Sequence, residues 1–134
     1  MQGLAGKIAE KIKKAPDYRA CDDLYRVVTD MMETDRPRAL RWLKWLSGIC
    51  DKEILKHVSG DLHTAQEFMG LHKRVLRGLA QDDFDSFLRF VEWERDAEKR
   101  FYLPRRKVLK PIVDSLQDLA DDRLDLLAIS LPPG

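Results

Sequence analysis

With 134 residues, 44% of them hydrophobic and 35% charged, the chain has the composition of a helix-rich globular protein, not of a disordered one. Its 24 Lys and Arg against 23 Asp and Glu leave a net charge of +1, so bulk charge does not mark a nucleic-acid binder, and only local patches could do so. No apolar stretch approaches the roughly 20 residues of a membrane span, and Cys21 and Cys50 have no C-x-x-C partner, which leaves reduced thiols as the default.

Leu4, Ile8 and Ile12, interleaved with lysines, predict a first surface helix that ends near Ala15-Pro16. It lacks the continuous apolar core of a secretory signal. A second helix is expected over about Asp17 to Glu33, with Cys21, Leu24, Tyr25, Val28, Met31 and Met32 at helical spacing and Asp35-Arg36-Pro37 as its break. A third, about Arg38 to Cys50, carries Trp42, Trp45, Leu46 and Ile49 as a heavy core anchor, although a Trp face also suits a partner subunit. Ile54, Leu55 and Val58 suggest a short helix ending at Gly60. Asp61 is then the N-cap of a longer one marked by Ala65, Phe68, Met69, His72, Val75, Leu76 and Leu79.

Phe84, Phe87, Leu88 and Val91 open the next helix. Phe90, Trp93, Ala97 and Phe101 extend it as a second stripe, and Pro104 is expected to end it. Leu109, Ile112, Val113, Leu116, Leu119 and Ala120 define the last helix, with Pro111 tolerable in its first turn. After Asp121-Asp122-Arg123 comes the apolar run Leu124 to Leu131, then Pro132-Pro133-Gly134. Such a run suits a strand covered on both faces of a parallel sheet. Nothing upstream supplies its neighbours, so the expectation is a mostly α chain: a helical region over residues 1–80, then a connecting helix and the first helix and strand of an interrupted α/β sheet over 81–134.

A buried strand that delivers the chain to a Gly-rich turn is how a phosphate loop begins. Leu131, Pro132, Pro133 and Gly134 have the position of its first half; the Gly-Lys-Thr/Ser that would complete it is not in the chain. The strongest basic run, Lys99, Arg100, Arg105, Arg106, Lys107 and Lys110, either contacts a nucleotide or DNA backbone or balances Glu92, Glu94, Asp96, Glu98 and Asp114 on solvated faces. His72 lies on an apolar stripe and reads as a hydrogen-bonded core residue. Asp61, His63 and Glu67 are the nearest approach to metal-ligand spacing, without convincing geometry, and no Ser or Cys nucleophile signature is present.

The stretch Phe101-Tyr102-Leu103-Pro104-Arg105-Arg106-Lys107, followed by Leu116-Gln117-Asp118-Leu119 and by Leu126 to Gly134, resembles the part of tailed-phage terminase large subunits that leads into their Walker A loop. The resemblance covers about the last quarter of the chain; upstream it is only a generic helical region. Leu131 stands where the usual phosphate loop begins with glycine. By this resemblance the parent would be an ATP-driven viral DNA-packaging motor with an N-terminal ATPase and a C-terminal nuclease, working in the host bacterial cytoplasm. Its cofactors would be ATP and Mg2+, and its partners viral DNA, the portal and the small terminase subunit. Tyr102, Arg105, Arg106 and Lys107 would lie where such ATPases present an adenine-contacting element, though the glutamine usual there after an arginine is not clearly present. This chain alone, ending inside the loop, is expected to be inactive and to need no cofactor. The rival reading is a self-contained helical interaction module without catalysis; a weaker third is a DNA-binding helical domain.

Overall fold

The computed structural model describes residues 3–121, and these are mostly α-helical, with no strand among them. The expected strand Leu124 to Leu131 and the loop residues Leu131, Pro132, Pro133 and Gly134 lie outside the described residues. In chain order the helices are α1 (Leu4–Lys14), α2 (Tyr18–Met31), α3 (Arg36–His57), α4 (Leu62–Leu79), α5 (Phe84–Glu92) and α6 (Tyr102–Ala120), with one 3-10 turn at Ala97–Lys99. They form two compact units, Met1–Leu79 and Ala80–Gly134.

In the first unit, α1 packs on α2, and α2 on the antiparallel pair α3 and α4. The buried side of α1 is Ala5, Gly6, Ala9 and Ile12, the first three small enough to let the helices approach closely, while Leu4 is left exposed. Ala15 leaves the helix in an extended conformation, the backbone that the following Pro16 imposes. Cys21, Leu24 and Val28 repeat at i, i+3 and i+7 on α2 and are fully buried. Asp35 then caps α3 by accepting from the Arg38 N–H at 3.3 Å, with Pro37 in the first turn, where no N–H is required of it.

The break expected after Cys50 does not occur, and α3 runs unbroken to His57. Asp51-Lys52-Glu53 looks like a polar interruption, yet Ala39, Leu43, Leu46, Cys50 and Glu53 form one buried row at spacings of four and three. With no Gly or Pro there to stop it, the helix continues. Asp61 caps α4 as expected, accepting from the Thr64 N–H at 3.2 Å and hydroxyl at 2.6 Å. The core between the helices is Phe68, Leu71 and Val75 of α4 against Leu24, Leu43 and Leu46, with Tyr18 edge-on to Phe68 at 6.0 Å. Arg74 ties α4 to α2: it donates to Asp22 at 3.1 Å and to the Tyr18 hydroxyl at 3.2 Å, and lies over the Tyr25 ring.

The second unit is an α5–α6 hairpin, and it corrects three expectations. The helix beginning at Phe84 stops at Glu92 and does not carry a second stripe through Trp93 to Phe101. Of the nine residues Glu92 to Arg100 only Trp93 and Ala97 are apolar, too little to bury a further helical face, and acids crowd a helix C-terminus, where the dipole disfavours them. Pro104 does not end a helix; it sits in the first turn of α6, the place where its missing N–H costs nothing. Pro111 lies in the interior of α6, not its first turn, and there removes one bond from the backbone ladder on an exposed side.

Candidate functional site

The residues that the resemblance singles out begin α6, and the order of the side chains around them is set by α5. On α5 the apolar residues Phe87 and Val91 are 43% and 40% exposed, whereas Asp85, Ser86 and Glu92 are buried. Asp85 and Glu92 are seven positions apart and so share a helix face, and it is this acidic face that meets α6. The Glu92 carboxylate accepts from three successive backbone N–H groups, Phe101 at 3.0 Å, Tyr102 at 2.9 Å and Leu103 at 2.9 Å, satisfying donors that a helix N-terminus otherwise leaves without partners. Its negative charge also complements the positive end of the α6 dipole. Burial pushes the Glu92 carboxyl up, but the three amides outweigh it and hold it below the ordinary value of 4.5.

Arg100 closes the connection in the opposite sense, donating from Nε to the Glu92 carbonyl at 3.2 Å and from Nη2 to the Trp93 carbonyl at 2.8 Å. One turn into α6, Asp85 accepts the Tyr102 hydroxyl at 2.5 Å and both guanidinium arms of Arg106, at 2.9 and 2.8 Å. Burial raises the Asp85 carboxyl, yet the bonds from Arg106 and Tyr102 bring it below 3.8. Tyr102 is pushed well above its usual range by burial and by Asp85. At the far end, Gln117 of α6 accepts the Phe84 N–H at 2.6 Å and donates to the Asp82 carbonyl at 2.9 Å, while Asp83 caps α5 through the Ser86 N–H. Each helix thus supplies a side chain that caps the other.

Of the four side chains expected on the nucleotide or DNA side, two are engaged inside the hairpin and two face outward. Tyr102 and Arg106 belong to the Asp85 network. Arg105 is exposed, lies over the Phe101 ring at 4.5 Å and donates to the Phe101 carbonyl, and Lys107 is exposed. The same hairpin has a hollow of about 260 Å3 whose apolar lining of Leu88, Phe101, Tyr102, Ile112 and Val113 is interrupted by Glu92. Lys110 pairs with Asp114 at 2.9 Å on the solvated face, as ordinary i,i+4 charge patterning would have it.

In the first unit, His72 is the buried, hydrogen-bonded core residue expected, its Nε2 2.8 Å from the Ser47 hydroxyl. Cys21 and Cys50 are buried and free, and burial, with Glu53 nearby, raises the Cys21 thiol to about 12, which makes it a poor nucleophile at neutral pH. His63 and Glu67 stand 3.8 Å apart, and among the described residues no group of three His, Cys, Asp or Glu side chains is placed to hold a metal ion. A polar cleft of about 500 Å3 is lined on one side by Lys14, Asp17 and Tyr18 and on the other by Lys56, Glu67 and the pair Glu53–His57, whose Oε2 and Nε2 are 3.1 Å apart.

Trp42 and Trp45 are half-buried at the margin of the core, set edge to face at 5.8 Å, and with Arg38 and Arg41 they line a groove of about 300 Å3. No helix among the described residues is long and apolar enough to cross a membrane. The chain has no match among protein-family models, curated proteins or solved structures.

Asp85 and Glu92 are the residues of this site that reasoning from sequence passed over. Glu92 looked like one of several solvated charges, and Asp85 drew no reading at all. The available signal was that they share a helix face with Leu88, and that an arginine and a tyrosine recur one turn apart at the start of the following helix.

Proposed function

We propose that the chain is the N-terminal part of a phage or prophage terminase large subunit, the ATP-driven motor that packages viral DNA. The observation that carries the reading is the resemblance from Phe101 through Leu126–Gly134 to the approach to a terminase Walker A loop. Two features of the hairpin support it. The helix α6 ends at Ala120, so the apolar run beginning at Leu124 follows a helix directly, the order in which a P-loop sheet opens. The hollow of about 260 Å3 is lined mainly by apolar side chains, as suits a base, with Glu92 the one acid among them and the cations Arg105 and Lys107 outside the lining but on the same helix.

In this reading Leu124 to Leu131 would be the strand that delivers the phosphate loop, and Leu131, Pro132, Pro133 and Gly134 its first half. ATP and Mg2+ would be the cofactors of the longer protein and viral DNA, the portal and the small terminase subunit its partners, in the host cytoplasm. The chemistry of hydrolysis and cleavage belongs to residues beyond this chain, which by itself carries no complete ATPase or nuclease site.

The test begins with the codons that follow Gly134, which should encode Gly-Lys-Thr or Gly-Lys-Ser. A chain extended through them should bind MgATP, and replacing Arg105 and Lys107 by Glu should weaken that binding. A gene with no such codons in frame or in an adjacent frame ends the proposal. The rival reading, a helical interaction module, draws on the Trp42–Trp45 groove, which a packaging ATPase does not by itself require.

A further inference from the structure

The N-terminal half of α3 carries a feature that neither the core nor the packaging reading uses. From Arg36 to Cys50 the sequence holds four cations, Arg36, Arg38, Arg41 and Lys44, and not one acid. Trp42 and Trp45 are interleaved with them. At 3.6 residues per turn, Arg38, Arg41, Trp42 and Trp45 share one flank, roughly a third of a turn from the buried row Ala39, Leu43, Leu46 and Cys50. The next residue on that flank is Ile49, half-buried one turn beyond Trp45, which continues its apolar ground.

We infer that this flank is a docking surface for an acidic peptide segment of a partner protein, one that sets an apolar side chain into the Trp42–Trp45 groove and carboxylates on Arg38 and Arg41. Tryptophan and arginine are the side chains that concentrate binding energy at protein interfaces, through a large rigid contact area and bidentate bonding to carboxylates. Charge complementarity selects the partner's sign, because the nearest acids of the helix, Asp35 and Asp51, lie at or beyond the ends of the patch. The ring geometry selects a peptide over a single-stranded nucleic acid. At an interplanar angle of 86° one indole sets its edge against the face of the other, and both rings pack on the core, so the pair does not offer the open, parallel faces on which bases stack. A groove of about 300 Å3 instead takes a compact side chain.

The experiment presents the full 134-residue chain to a library of short random displayed peptides and measures the selected peptides by fluorescence anisotropy. Selected sequences should combine an aromatic or leucine residue with several acids, and Arg38→Glu/Arg41→Glu should weaken their binding by about tenfold or more. Trp45→Ala should do the same. Since that ring also packs on the core, the double charge reversal decides the matter if Trp45→Ala lowers the melting temperature. Failure to select any peptide, selection without enrichment of acids, or affinity indifferent to the reversal overturns the inference. So does labelled oligothymidylate that binds more tightly than the peptides and is lost in the same variant. None of these outcomes depends on codons beyond Gly134, so the packaging proposal and this one fail separately.

Discussion

The two units of this protein are held together by opposite means. Met1–Leu79 is built on an apolar interior of Leu, Val, Ile, Ala, Cys and Phe, and its buried polar side chains are hydrogen-bonded, Ser47 to His72 and Glu53 to His57. In Ala80–Gly134 the buried hydrophobic side chains among the described residues are Tyr102 and Val113, neither of them fully enclosed, and cohesion falls to Asp85, Glu92, Arg100, Arg106 and Gln117. Burial of apolar area is indifferent to direction, so a hydrophobic unit tolerates small rearrangements. Charge-assisted hydrogen bonds have strict geometry and leave costly unpaired groups when one partner goes, so the hairpin has one register.

That contrast can be broken in graded steps. The largest effect is expected for Phe68→Ala, which opens a cavity among Leu24, Leu43 and Tyr18 and should cost about 3–5 kcal/mol, read as lost amide protection across α2–α4. Next comes Glu92→Ala, which removes one carboxylate but strands three amides at the α6 N-terminus. A loss of about 2–4 kcal/mol is expected in the hairpin, with exchange accelerating first at Phe101 to Leu103. If the hairpin amides of that variant stay protected, the polar clasp is not what holds it.

Acid provides the same test without mutation. Asp85 and Glu92 both have carboxyls depressed in the folded state, so their contribution is complete above the ordinary values of 3.8 and 4.5 and is lost as the pH falls through the lower folded values. Protection of the α6 N-terminal amides should therefore be constant near neutrality and fall away only below about pH 4. A decline that starts near pH 6 would contradict the assignment. Ser47→Ala should cost about 1–2 kcal/mol by removing the buried hydroxyl that meets His72 Nε2 at 2.8 Å, a difference visible in the melting temperature. Smallest of all, Lys110→Ala should change stability by less than about 0.5 kcal/mol, because its pair with Asp114 is solvated and screened.

Much of the first unit was legible from residue order. Asp61 with Thr64 three residues on, Ala15-Pro16 and the spacing of Cys21, Leu24 and Val28 are local signals, and caps and breaks act over a single turn. Less of the candidate site could be read. Arg105, Arg106 and Lys107 were visible as a basic run, but that Arg106 turns inward to Asp85 while Arg105 faces out depends on which side α5 covers. The tryptophans were expected in the core and are half-buried at its margin, a distinction that periodicity does not draw because both positions keep helical spacing.

By itself, then, the sequence determined where most helices start and stop and which stretches are able to bury an apolar face, since propensity, capping and periodicity are properties of neighbouring residues. Tertiary structure decided the continuity of α3 through Asp51-Lys52-Glu53, the acceptance of Pro104 and Pro111 within α6, and the inward turn of Asp85 and Glu92. For the acids the reason lies in distant partners. A buried charge is costly or harmless according to the partner that meets it, and for Glu92 that partner is a set of three amides nine to eleven residues away along the chain.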